Sequence, residues 1–175
     1  ILICRWRLQA RVFPLECPET AAICLLGDEP FYTEHNFFRL MNMSNNDLGY
    51  AGDISPETAN AWMQSGEAVM VDVRSEAELA WVGFVPGAVS VPWKQWPGMA
   101  MNPAFDADVK AAANGKKIVL LCRSGVRSIA AAQRATALGL EAYNILEGFE
   151  GDANADGHRG TQGGWRMRGL PWRQN

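Results

Sequence analysis

The stretch from Lys117 to Leu138 constrains the fold more than any other part of the chain. Lys117-Ile118-Val119-Leu120-Leu121 is a short apolar run that reads as a buried strand. Ile129 to Leu138 is rich in alanine and reads as a helix. Between them lies Cys122-Arg123-Ser124-Gly125-Val126-Arg127-Ser128. Cys122 therefore sits where a strand turns into a helix. A thiol there faces loop N–H groups and the positive end of the helix macrodipole, with two arginines close in sequence. Both effects favour the thiolate, the nucleophilic form of cysteine. A lone buried cysteine is commonly inert. The glycine, the two arginines and the strand-to-helix junction make this one a candidate nucleophile.

The spacing inside the loop narrows the chemistry. Gly125 lets the loop curl so that backbone amides converge, and such a nest binds an anion without side chains. Arg127 follows Cys122 with four residues between them, and Ser128 stands where a tyrosine-phosphatase type of loop has its arginine. The phosphatase loop is one residue wider and fits a phosphate. A tighter loop suits a smaller group, such as one extra sulfur on the cysteine.

Helices and strands alternate through the rest of the chain from Ser55 onward. Ser55-Pro56-Glu57 opens a helix with an N-cap, a first-turn proline and an acid near the positive end. Ala59, Trp62 and Met63 form its apolar face, and Gly66 stops it. Ala68–Val73 reads as a buried strand, Ser75–Trp81 as a short helix, and Ala88–Val91 as a short strand closed by Pro92. Pro103–Ala113 reads as a helix with Phe105 and Val109 inward. Gly139 ends the helix after the loop, and Glu141–Leu146 is the last strand. This alternation predicts a three-layer α/β fold: a central, mostly parallel sheet of about five strands flanked by helices. Right-handed crossovers then bring the loop to the carboxyl ends of the strands, where open α/β sheets place ligands.

Four separated motifs, in order from about Ser55 to Trp172, resemble the rhodanese family of sulfurtransferase modules. Val71-Asp72-Val73-Arg74 followed by Glu78-Leu79 is similar to that family's Asp-x-Arg…Glu-Phe pattern. Gly83-Phe84-Val85-Pro86-Gly87-Ala88 is similar to its Gly-His-Ile-Pro-Gly-Ala motif, with Phe84 in place of the usual histidine. Cys122 to Arg127 is similar to its active-site loop, Cys-x-x-Gly-x-Arg. Leu146-Glu147-Gly148, then Gly164-Trp165 and Gly169-Leu170-Pro171, resemble its C-terminal signature, with an insertion between Gly148 and Gly164. Residues 50–175 are thus expected to form one rhodanese-like domain with an insertion at about 150–163.

The resemblance implies a two-step sulfur transfer. Cys122 attacks the outer sulfur of a small anionic donor such as thiosulfate, becomes a persulfide, and passes that sulfur to a thiol or a protein cysteine. Arg123 and Arg127 are expected to attract and hold the donor, while the amides of residues 123–128, with the Ser124 and Ser128 hydroxyls, stabilise the sulfur anion. Asp72 and Arg74 are expected to be structural, with Arg74 paired to Glu78. The chemistry calls for no cofactor and no metal. Two other classes compete: a phosphatase or arsenate reductase on a related fold, which the loop length disfavours, and a non-enzymatic persulfide carrier or regulatory module, which the retention of Cys122 and Arg127 disfavours.

Composition sets outer limits. A net charge of −3 gives no reason to expect nucleic acid as a partner, and no apolar run in the sequence is long enough to span a bilayer. Cys4, Cys17 and Cys24 crowd the beginning of the chain and Cys122 stands alone, which is not a disulfide framework. A nucleophilic thiol is easier to keep in a reducing compartment, so a cytoplasmic setting is expected. Residues 1–40 show no steady period, and Met41 or Met43 opens a polar stretch that reads as a native start. Residues 1–45 are therefore expected to be an unstructured or non-native extension, the alternative being an accessory segment packed on the domain.

Other features suggest less. His35 and His158 are too far apart to suggest a metal site or a general base. Trp93 and Trp96 are candidates for walls of the pocket. Asp152-Ala153-Asn154-Ala155-Asp156-Gly157 matches the first half of a calcium loop. Gly163 stands where such a loop needs its bidentate glutamate, and Arg159 where it needs an apolar residue, so a Gly-rich solvated loop bordering the active site is expected instead.

Overall fold

The computed structural model describes residues 48–174. The expected extension at residues 1–45, with Cys4, Cys17, Cys24 and His35, lies outside the described residues. The elements run β1 (Gly52–Ile54), α1 (Pro56–Ser65), β2 (Ala68–Asp72), α2 (Glu76–Val82), β3 (Val89–Ser90), β4 (Lys94–Gln95), β5 (Ala100–Met101), α3 (Phe105–Ala113), β6 (Lys117–Leu121), α4 (Val126–Ala137) and β7 (Ala142–Ile145). Five strands form a parallel sheet in the order β1-β7-β6-β2-β3, and β4 and β5 pair as a separate antiparallel hairpin. β6 is the central strand, so the chain leaves the middle of the sheet at Cys122.

The strand sequences follow from burial on both faces. Val71, Ile118 and Leu120 join a core with Phe105 and Val109 of α3 and Ala131, Ala132 and Ala135 of α4. Met70, Val119 and Leu121 point the other way, against Ala59 of α1, Val85, Phe149 and Trp165. Ile118 to Leu121 are fully buried. At about 1.5–3 kcal/mol for each such side chain, a charge at any of these four positions is not tolerated.

The starts of α1 and α2 are capped by serine side chains. Ser55 Oγ accepts from the Thr58 N–H at 3.2 Å, and Gly66 closes α1 in the left-handed region. Ser75 and Glu78 form a reciprocal capping box at α2. Two helix starts differ from expectation by more than one residue. α3 starts at Phe105 rather than Pro103, and α4 starts at Val126 rather than Ile129. The second shift matters: Gly125, at φ +92°, turns the chain directly into the helix, so Arg127 and Ser128 belong to its first turn. β1, β4 and β5 have no counterpart among the expected strands. They are two or three residues long, too short to show a period, and β1 is held only by its register on β7. No helix among the described residues is long and apolar enough to cross a membrane.

Candidate active site

Cys122 follows the last residue of β6 and is 1% exposed. Two donors reach its sulfur. The Gly125 N–H donates to Sγ at 3.2 Å, and the Ser128 hydroxyl lies 3.2 Å from it. Behind Ser128 a chain of polar groups runs into the sheet. Ser128 Oγ is 2.6 Å from Asn144 Oδ1, Asn144 Nδ2 donates to Asp53 Oδ1 at 2.8 Å, and the Tyr50 hydroxyl donates to the same oxygen at 2.9 Å. Ser128 also lies 3.0 Å from the Gly125 carbonyl oxygen. One hydroxyl proton thus has three acceptors within reach, and the shortest contact is to Asn144. Burial and the Asp53 carboxylate push Tyr50 up to about 12, which keeps it a donor.

The loop is fastened from behind by backbone. Phe149 N–H donates to the Cys122 carbonyl at 2.8 Å, and Glu150 N–H to that of Arg123 at 2.9 Å. Gly148 makes this approach possible. It sits at φ +62°, and a Cβ there would lie 2.5 Å from Cys122 O and 2.7 Å from Ser124 N.

The charged residues are paired differently from the expectation. Arg74 does not meet Glu78. It is buried and clasps Asp72 through Nε and Nη2, at 2.9 and 2.6 Å, with the Phe149 ring 4.0 Å away. The turn after β2 folds the arginine back onto Asp72. Glu78 instead receives both terminal nitrogens of Arg127, at 2.7 and 2.6 Å, together with the Ser75 N–H at 3.1 Å. Burial opposes ionisation of Glu78, but the Arg127 and Ser75 contacts outweigh it and hold the carboxyl down to about 2. The same pair raises the Arg127 guanidinium above its ordinary value, against the opposing effect of its burial.

Cys122 opens into a cavity of about 1000 Å³. Ser75, Glu78, Arg123, Ser124, Val126 and Arg127 line it beside the cysteine. Trp81, Trp96 and Met99 form an apolar rim, at 81%, 67% and 38% exposure. Trp96 is thus a wall residue as expected. Trp93 is not: it packs edge-on against Phe105, 4.6 Å between ring centres, in the core beneath α3. The insertion borders the cavity through Arg159, whose Nη1 donates to the Gly151 carbonyl at 2.7 Å. In the run that resembles half a calcium loop, Asn154 Oδ1 accepts from the N–H groups of Asp156 and His158, at 3.0 and 2.8 Å, closing a local turn. Phe84 forms a two-way backbone bridge with Arg173 and does not line the cavity.

The sequence reading missed Asn144, Asp53, Trp81 and Arg159. Asn144 left a signal, a polar amide inside the apolar strand Ala142–Ile145. For Arg159 the sequence pointed only to the insertion as a border of the site, and the fold selects this residue from it.

The family model for the rhodanese-like domain matches residues 55–155. An uncharacterized protein of Rickettsia prowazekii is 33% identical over 122 residues, which is 67% of this chain and 93% of that protein. The crystal structure of Rv0390 from M. tuberculosis is similar at a TM-score of 0.65 and 44% identity, covering 72% of this chain and 99% of that one. A rhodanese-related protein from Thermoplasma volcanium shares the fold, with a TM-score of 0.50 at 20% identity over 70% of this chain and 98% of its own. The order of the strands around β6, the cysteine at its end and these matches agree: the chain belongs to the rhodanese-like domain family.

Proposed function

We propose that the protein is a sulfurtransferase that moves a sulfane sulfur from a small anionic donor to a thiol through a persulfide on Cys122. In the first half-reaction the Cys122 thiolate attacks the outer sulfur of a donor such as thiosulfate. A new S–S bond forms, the donor's own S–S bond breaks, and sulfite leaves with the electron pair. In the second, an acceptor thiolate attacks the outer sulfur of the persulfide and Cys122 departs as thiolate. No cofactor takes part, and sulfur carries the electrons throughout. The observation that supports this reading most directly is the Gly125 N–H on Sγ at the floor of an open cavity. Such a donor stabilises a sulfur anion in the resting and the departing state alike.

The test is mass spectrometry of the peptide carrying Cys122 after incubation with thiosulfate and no reductant. One added sulfur is expected, and none in Cys122→Ser, because a hydroxyl cannot hold the intermediate. Thiosulfate:cyanide turnover is expected in the wild type and lost in the serine variant. Phosphatase activity without persulfide formation would overturn the proposal.

A further inference from the structure

An anionic donor needs cations at the pocket, and the pairing pattern changes which arginines can serve. Arg127 lines the cavity, but each of its terminal nitrogens already donates to the Glu78 carboxylate. Seen from the cavity this pair carries no net charge. Arg166 and Arg168 also have carboxylate partners, Glu150 for the first and Glu57 with Glu147 for the second. Among the described residues, Arg123 and Arg159 are the cavity-lining arginines without a carboxylate partner. Arg123 is exposed at the rim.

Arg159 is half-buried and held at one end. Its Nη1 is anchored on the Gly151 carbonyl, and Gly151 is itself fixed: its N–H donates to Glu147 O at 3.0 Å, and a Cβ there would meet Gln162 O at 2.3 Å. Gly160 N–H on Glu150 O, at 2.8 Å, pins the backbone beside Arg159. Glu150 N–H in turn holds the active-site loop at Arg123 O. The insertion and the loop therefore form one backbone-bonded unit. The anchor uses one N–H of the guanidinium and leaves the planar fork that suits sulfonate-like oxygens.

We infer that Arg159 is a donor-binding residue: the insertion supplies the guanidinium that holds the oxygen-bearing end of a thiosulfate-like anion while its outer sulfur faces Cys122. The donor's identity rests on the sulfurtransferase reading. The anion seat beside Cys122 does not, so it is tested with reagents that need no turnover.

The full chain is alkylated at low salt with iodoacetate, an anion, and with iodoacetamide, its neutral counterpart. The Cys122 peptide is followed by mass spectrometry, which separates it from the other cysteines. Arg159→Gln keeps a donor for the Gly151 carbonyl and removes the charge. It is expected to lower the iodoacetate-to-iodoacetamide rate ratio about fivefold, the size of one charge acting over a short distance in a largely wet site. High salt is expected to shrink that difference. Arg159→Lys is expected to restore most of the ratio, which a purely structural role would not do. In turnover, Arg159→Gln is expected to raise the KM for thiosulfate with kcat largely kept. An unchanged ratio, or equal slowing with both reagents, overturns the inference. A lowered ratio in a protein that never forms a persulfide keeps the anion seat and removes the sulfurtransferase reading instead.

Discussion

Replacing Glu78 by glutamine tests the pairing at the mouth of the site through stability, independently of any substrate. Glutamine keeps the size of the side chain and an oxygen for the Ser75 N–H. It turns an amide toward a guanidinium that now has no counter-charge. In the folded chain the Glu78 carboxyl is held down from 4.5 to about 2. A depression of roughly 2.5 units at about 1.36 kcal/mol each sets an upper limit of about 3.4 kcal/mol. The side chain is 22% exposed, so about 2 kcal/mol is the expected loss at pH 7. The sign follows from the direction of the shift. The stabilisation is complete above about 4.5, the unfolded value, and is lost as pH falls toward about 2. Urea unfolding by tryptophan fluorescence, with buried Trp165 among the reporters, gives both stabilities at each pH. The gap between wild type and Glu78→Gln is expected to be flat from pH 7 to about 5. Below that it should close at a rate approaching 1.4 kcal/mol per pH unit. A gap that stays constant down to pH 3 would mean the loss is steric. A gap under about 0.5 kcal/mol at pH 7 would place the pair with ordinary surface ion pairs.

Three further outcomes are expected. Gly148→Ala drives a Cβ into the Cys122 and Ser124 backbone, so it should cost more than about 2 kcal/mol, lower Tm by several degrees and slow sulfur transfer. Gly125→Ala has the same kind of φ, +92°, but its nearest neighbour is the Glu147 nitrogen at 3.6 Å, so thermal unfolding should rank it as the milder change, at about 1 kcal/mol. Asn144→Ala removes one of the two donors to Asp53 Oδ1 and the nearest of the three acceptors of Ser128, and should cost about 1–3 kcal/mol in urea unfolding, with no change for an independent surface alanine as control.

The parts of this fold that repeat a period were legible in the sequence. β2, β6 and α1 follow from apolar runs and caps, and the place of Cys122 at the end of β6, against the cavity, follows from a cysteine at a strand-to-helix junction. What was not legible depends on contacts distant in sequence. β1 pairs with β7 across most of the domain, and three residues carry too little pattern to announce a strand. The partner of Glu78 is the clearest case. Arg74 is near in sequence and Arg127 is 49 positions away, yet the parallel crossover from β2 to β6 brings Arg127 to the mouth of the same pocket. Arg74 is drawn below the surface to Asp72, where no local rule of charge spacing would place it. Trp93 and Trp96 illustrate the same limit. They lie at opposite ends of one short strand, β4, and only the packing of α3 decides that one is core and the other rim.

The fastening of the active-site loop also fixes when the site can exist. Cys122 and Arg123 present their carbonyls to Phe149 and Glu150, and Gly148 accepts in turn from the Trp165 N–H at 2.9 Å. All of those partners follow β7, so a ribosome makes Cys122 well before it makes what holds the loop. A nascent chain that has emerged only as far as α4 carries the cysteine without its seat. The segment after β7 therefore supplies the contacts that shape the loop, and a product cut short before Phe149 carries the thiol without them.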